Sequence, residues 1–266
     1  MTRHPEPWLP GTPCWVDLAA SDLARTQAFY SAVLGWSYTE SDPENFGGYC
    51  NALIGDDPVA GLSPTMPGMD DVPHVWSVYL ASDDLSATGA TAEAAGAQPM
   101  FAPMELGPLG SMGMWIDPTS AAIGVWQSGL HTGFNVTGVH GSVAWNDLMT
   151  GDYEAARAFY ATTFGYTYSD IGMGGDMGME GMRYCMFTVP GGEYPAGGIG
   201  EITPAGAGPA AWSVCFQHDD VDAVGEVVIA HGGTVTTEPY DFEFGRLIGL
   251  TGPDGEQFQL ITPTAE

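Results

Sequence analysis

Apolar and polar positions alternate from Trp15 to Ala20, with Val16, Leu18 and Ala20 on one face and Trp15, Asp17 and Ala19 on the other. That period of two is the signature of a half-buried strand. The period then lengthens: Leu23, Phe29, Tyr30, Val33 and Leu34 form a helical stripe that Ser21 or Asp22 can cap and Gly35 can end. Residues 46 to 62 supply strands broken at Gly55-Asp-Asp-Pro58, and Val75 to Ala81 opens a second unit whose helix starts at Asp83-Asp84 and stops by Gly96. The pattern predicts strand, helix and three strands, twice over, within the first half of the chain.

The second half repeats the first. A shift of 130 residues lays Trp15-Val-Asp-Leu over Trp145-Asn-Asp-Leu, Ala28-Phe29-Tyr30 over Ala158-Phe159-Tyr160, and Gly35 over Gly165. Tyr49-Cys50 answers Tyr184-Cys185, Trp76-Ser-Val-Tyr answers Trp212-Ser-Val-Cys, and Pro118 answers Pro253. In this half Val221, Val224, Val228 and Ile229 are expected on one helical stripe that Gly232-Gly233 stops. The reading is an α+β protein of two tandem domains, residues 11–128 and 140–263, joined by a Gly/Thr-rich linker at 129–139. Each domain pairs two βαβββ units.

Charge narrows the partners. Five Lys+Arg against 33 Asp+Glu give a net charge of −28 over 266 residues. All five basic residues are scattered arginines, which excludes a nucleic-acid or anionic-membrane surface. A 44% hydrophobic content with 8 Trp, 11 Tyr and 11 Phe belongs to a chain that buries cores. Cys14, Cys50, Cys185 and Cys215 lie too far apart for a zinc motif and read as reduced thiols. The N-terminus carries prolines where a signal peptide needs an apolar stretch, and no run approaches a membrane span, so the cytoplasm is the expected location.

The motif Phe-Tyr-x-x-x-(Leu/Phe)-Gly-(Trp/Tyr) at 29–36 and 159–166, within this repeat, resembles the vicinal oxygen chelate superfamily of glyoxalases, bleomycin-resistance proteins and extradiol dioxygenases. The run from Asp117-Pro118 to Trp126-Gln127, then His131-Thr-Gly and Gly141-Ser to Trp145-Asn-Asp-Leu-Met-Thr, is similar to its tandem two-domain actinobacterial branch. The resemblance implies that each pair of units curls into a half-open barrel. It also places the metal ligands of metal-dependent members at the positions of Trp15, Ser77 and Gly124 in the first half and Trp145, Ser213 and Gln259 in the second. A divalent ion needs at least three converging O, N or S ligands, so neither a metal nor another cofactor is expected.

Strand alternation aims Asp17 and Asp147 into the two concave faces beside Trp15 and Trp145. Desolvation there would raise a carboxylate's pKa toward acid–base use; the alternative is an acceptor that only fixes strand register. Trp15, Tyr49, Ser77, Tyr79 and Trp126 in the first half, with Trp145, Tyr184, Ser213 and Gln259 in the second, are the expected ligand-binding side chains. Gly172–Met182, with Met66, Met69, Met100, Met104, Met112 and Met114 of the first half, suggests either an adaptable lid or plain turns. Of the histidines, His74 is the candidate for the mouth, His131 and His140 flank the linker, and most are expected at the surface or as caps. Two functions fit these residues: a metal-independent lyase, isomerase, cyclase or hydratase acting on a small carbonyl-containing or aromatic metabolite, and a non-catalytic protein that sequesters a drug-like one. The expected partner is thus a small molecule. The tandem repeat makes a monomer with an intrachain pseudo-dimer interface sufficient, and a homodimer is compatible with it.

Overall fold

The computed structural model describes residues 1–41, 46–69, 72–171, 183–202 and 209–264; the Gly172–Met182 segment lies outside these residues. The first half contains β1 (Pro13–Ala20), α1 (Leu23–Leu34), β2 (Ser37–Tyr38), β3 (Cys50–Ile54), β4 (Asp57–Pro64), β5 (Trp76–Ser82), α2 (Leu85–Ala94), β6 (Gln98–Pro99), β7 (Gly110–Ile116) and β8 (Ala122–Ser128). The second contains β9 (Val143–Thr150), α3 (Tyr153–Phe164), β10 (Thr167–Ile171), β11 (Tyr184–Thr188), β12 (Gly197–Glu201), β13 (Ala211–Gln217), α4 (Val221–Ala230), β14 (Thr234–Phe242), β15 (Gly245–Thr251) and β16 (Gln257–Pro263).

The two sheets are built alike. The first runs β2-β3-β4-β1-β5-β8-β7-β6 and the second β10-β11-β12-β9-β13-β16-β15-β14. In each, two βαβββ units join through an antiparallel central pair, β1 with β5 and β9 with β13. Neither sheet closes, because β2 and β6, like β10 and β14, end the ladder without pairing each other. The protein is α+β. Each of the four helices α1 to α4 begins at an aspartate: Asp22, Asp84, Asp152 and Asp220 accept from Arg25, Ala87, Ala155 and Ala223 backbone N–H groups at 2.9–3.1 Å. Each such cap stabilises its helix by about 1 kcal/mol.

One face of each sheet meets the helices. Val16, Leu18 and Ala20 are completely buried there, and α1 packs on α4 and α2 on α3, so the two halves share one hydrophobic core. Ile229 departs from the expected stripe: it is 62% exposed, while Val221, Val224 and Val228 are buried. Residue 229 follows 228 by 100° of helical turn, which carries it past the edge of the buried arc.

Paired polar contacts cross between the halves. Trp76 Nε1 donates to Tyr30 Oη, which donates to the buried Glu256 at 2.9 Å. In mirror fashion Trp212 Nε1 donates to Tyr160 Oη, which donates to Asp117 at 3.0 Å. Likewise Trp36 Nε1 donates to Gly141 O and Tyr166 Oη to Gly11 O. Gly11 and Gly141 have φ of +87° and +82°, and a Cβ on Gly141 would stand 2.6 Å from Leu34 O. Only glycine lets the two chains approach there. The linker is packed as well: Phe134 and Val136 are 2% and 1% exposed, and Val136–Thr137 pairs with Thr2–Arg3.

Candidate active site

The sheet face turned away from the helices forms a cup in each half. In the first cup Trp15 pairs in register with Tyr79, Tyr79 with Gly124, and Asp17 with both Ser77 and Gly61. Trp15 Nε1 donates to Tyr49 Oη at 2.8 Å. The ring of Tyr79 lies on Gly124, where a Cβ would come within 2.3 Å of it. Trp15, Tyr79 and Trp126 are only 4–6% exposed. His131, expected at the surface, is half-buried with its ring 4.3 Å from Trp15 and 5.4 Å from Trp126. Burial pushes its pKa down to about 4, so it is neutral in this setting. Trp126 Nε1 donates to His131 O, which brings the linker down over the cup. His74, the expected mouth residue, is engaged instead with Ala19 O through Nδ1.

Burial raises the Asp17 carboxyl to about 7, opposed by the neighbouring Tyr79 and Ser77 hydroxyls, which favour its charged form. This cup therefore holds its carboxylate under its own phenol.

The second cup keeps the frame and changes the filling. Trp145 pairs with Cys215, Cys215 with Gln259, and Asp147 with Ser213 and Gly198. Trp145 Nε1 donates to Asp147 Oδ1 at 2.8 Å and to Tyr184 Oη at 3.0 Å, and Tyr184 Oη donates to the same Oδ1 at 2.5 Å. Ser213 Oγ donates to the Asp147 main-chain oxygen at 3.3 Å. Both side-chain donors converge on one carboxylate oxygen. Burial raises the Asp147 pKa, and the Tyr184 and Trp145 hydrogen bonds partly restrain it. No cation pairs with Asp147 among the described residues.

The walls of this cup are a separate apolar cluster. Cys215, Leu247 and Ile261 are buried and pack with the half-buried Trp145, Tyr240 and Phe242, apart from the main core. A cavity of about 160 Å³ adjoins Trp145 at the start of β9, lined by Trp8, Phe134, Ala144, Asn146 and Pro195 among others. At the matching point of the first half the linker sits down instead, with Phe134 N donating to Cys14 O.

All eleven expected side chains thus lie in the two cups, Trp15, Asp17, Tyr49, Ser77, Tyr79 and Trp126 in the first and Trp145, Asp147, Tyr184, Ser213 and Gln259 in the second. Sequence reasoning passed over His131, Cys215, Tyr240 and Phe242. A signal for three of these was present: Cys215 stands in the repeat where the first half has Tyr79, and Tyr240 and Phe242 share one strand face at a period of two. Met112 and Met114, read as loop or strand-end residues, sit within β7 opposite Trp126 and Gly124, on the inner face of the first cup.

The donor set does not suit a metal. Trp15, Ser77 and Gly124 offer one hydroxyl; Trp145, Ser213 and Gln259 offer a hydroxyl and an amide. No group of three His, Cys, Asp or Glu side chains able to hold an ion occurs among the described residues. No helix among them is long and apolar enough to cross a membrane.

Comparison with known proteins agrees with the architecture. The chain is 34% identical to the anthracycline biosynthesis protein DnrV of Streptomyces peucetius, over 98% of this chain and 95% of that protein. It is 33% identical to CFP32 of Mycobacterium tuberculosis, over 96% of each. Among solved structures, the Mn(II)-bound glyoxalase of Novosphingobium aromaticivorans matches 96% of this chain and 83% of that one with a TM-score of 0.66 at 16% identity. The 2,3-dioxygenase LapB of Pseudomonas sp. KL28 matches 96% and 93% with the same TM-score at 14% identity. Likeness at that identity speaks to fold alone. The sequence profile of the glyoxalase/bleomycin resistance protein/dioxygenase superfamily matches residues 14–119 and again 141–260, and the chain belongs to that superfamily.

Proposed function

We propose that the protein is a metal-independent acid–base enzyme whose second cup takes a carbonyl-bearing aromatic metabolite and whose Asp147 moves the proton. The observation that carries this reading is the state of Asp147. Its carboxylate faces an apolar cup with no cationic partner among the described residues, its pKa is raised by burial, and both side-chain donors occupy Oδ1. A purely structural acceptor would be expected to have both oxygens engaged. Here Oδ2 has no hydrogen bond among the described residues, and it is the oxygen that would exchange a proton with a ligand.

Trp145 and Tyr184 would orient the carboxylate and hold Oδ1 as the site of charge, and Trp145, Tyr240 and Phe242 would stack on or edge a flat ligand. Near-complete alignment with a protein named for anthracycline biosynthesis supports a polycyclic aromatic substrate of that kind. The chemistry available to one proton-shuttling carboxylate is of lyase, isomerase, cyclase or hydratase type.

Turnover of such a compound by Asp147→Asn tests the reading. The expected result is a loss of roughly 100-fold or more in kcat with affinity largely kept. Recovery of the compound unchanged from the unaltered protein, with equal affinity in Asp147→Asn, is the behaviour of a sequestering protein and would contradict it.

A further inference from the structure

The repeat lets one cup serve as a record of what the other lacks. In the first cup the phenol ring of Tyr79 lies on Gly124, between Trp15 and the inner face of β8, with its hydroxyl beside Asp17. The glycine is needed for this, since a Cβ would come 2.3 Å from Tyr79 Cδ1. Tyr49 similarly overlies Gly61, where a Cβ would meet its hydroxyl at 1.7 Å. In the second cup Tyr184 repeats the Tyr49 arrangement over Gly198. The Tyr79 arrangement is not repeated.

Cys215 holds the Tyr79 register position, opposite Trp145, and Gln259 holds that of Gly124. The bulk there passes from a rigid, 5% exposed ring to a flexible amide that is half-exposed and makes no hydrogen bond among the described residues. Neighbouring positions shrink in the same direction: Met114 opposite Gly124 becomes Gly249 opposite Gln259, and Trp126 becomes Ile261. The carboxylate differs in step. Asp17 has the Tyr79 hydroxyl for a neighbour, while Asp147 lacks that phenol and takes both of its side-chain donors on Oδ1, among the described residues.

We infer that the second cup binds a hydroxyarene, with the aromatic ring on the Cys215–Gln259 strand pair, in the place that Tyr79 fills in the first cup, and the phenolic hydroxyl donating to Asp147 Oδ2. The Gln259 amide lies at the ring's edge, where it can meet a carbonyl or second hydroxyl. This rests on the second cup being the ligand site of the proposed function and names the chemical handle that site reads. A charged acceptor with a raised proton affinity, buried among indole and phenol rings, selects a donor and rejects a capped oxygen.

Calorimetric titration of the full-length protein with 2-naphthol and with 2-methoxynaphthalene tests the assignment, since the probes differ only in whether the oxygen can donate. The expected result is roughly tenfold or more in favour of 2-naphthol. Cys215→Tyr combined with Gln259→Gly copies the Tyr79–Gly124 pair into the second cup and is expected to weaken 2-naphthol by a similar factor, with circular dichroism and Tm verifying the fold. Equal affinity for the two probes in the unaltered protein overturns the hydroxyarene, whatever the double variant does. So does unchanged 2-naphthol affinity in a folded double variant. Because the readout is affinity, the outcomes separate: equal probe affinities with turnover lost in Asp147→Asn remove the phenol and leave the acid–base role. A tenfold preference with full turnover in Asp147→Asn supports the phenol and removes that role.

Discussion

The first and second cups share a strand order, a Trp-x-Asp motif on the opening strand and a tyrosine that immediately precedes β3 or opens β11, yet they are filled differently. In the first, Trp15, Tyr79, Met114 and Trp126 close on one another inside the common core, and the linker adds His131 and Phe134 against Trp15. In the second, the corresponding Trp145, Cys215, Gly249 and Ile261 leave a small apolar cluster of their own. The repeat keeps the scaffold, and a few side-chain exchanges change the packing: the first cup is part of the common core, and the second, in the function proposed above, binds the ligand. The exchange of Tyr79 for Cys215 is central, because it alters the packing and the hydroxyl beside the carboxylate together.

Several substitutions should break or sharpen this contrast. Tyr79→Ala removes a fully packed ring from the first cup and is expected to cost about 3–5 kcal/mol in urea unfolding. Cys215→Ala, at the same register position of the second, should cost about 1 kcal/mol. Similar losses at both sites would mean that the cups are equally packed. Next comes turnover: Asp17→Asn should leave kcat within about threefold, against the roughly 100-fold loss expected for Asp147→Asn.

The Asp17 carboxyl also predicts a pH dependence of stability. Its pKa is higher folded, at about 7, than unfolded, so the folded chain holds the proton more tightly. That stabilisation is fully present below the ordinary carboxylate pKa and is lost as pH rises through about 7. Asp17→Asn should therefore match the unaltered protein near pH 4 and exceed it by about 2 kcal/mol at pH 8, measured by urea unfolding. In the second cup, Tyr184→Phe removes a donor that lowers the Asp147 pKa, so the acid limb of the pH–rate profile should move to higher pH. The smallest effect is expected at the exposed Ile229, where serine should change stability by less than about 0.5 kcal/mol.

Much of this architecture is legible in the residues themselves. The period-two alternation of Trp15 to Ala20, the aspartate caps and the 130-residue shift are local or repetitive signals, and they yield both sheets and the inward direction of Asp17 and Asp147. Ile229 was misplaced because periodicity cannot say how wide a buried arc is until the partner helix is known. His131 was misplaced because its burial comes from Trp126 drawing the linker across the cup, a contact that only tertiary structure creates. The inequality of the cups lies between these cases: Tyr79 against Cys215 is plain in the aligned repeats, but its meaning depends on the Gly124 notch that the register brings beneath the ring.

The number of aromatic molecules held per chain tests the division between the cups most directly. Titration with 2-naphthol should saturate at one equivalent in the unaltered protein and at two in Tyr79→Ala, where the emptied notch over Gly124 presents Asp17 as the second cup presents Asp147. Two equivalents in the unaltered protein, or a single one displaced by closing the first cup and not the second, would contradict the account.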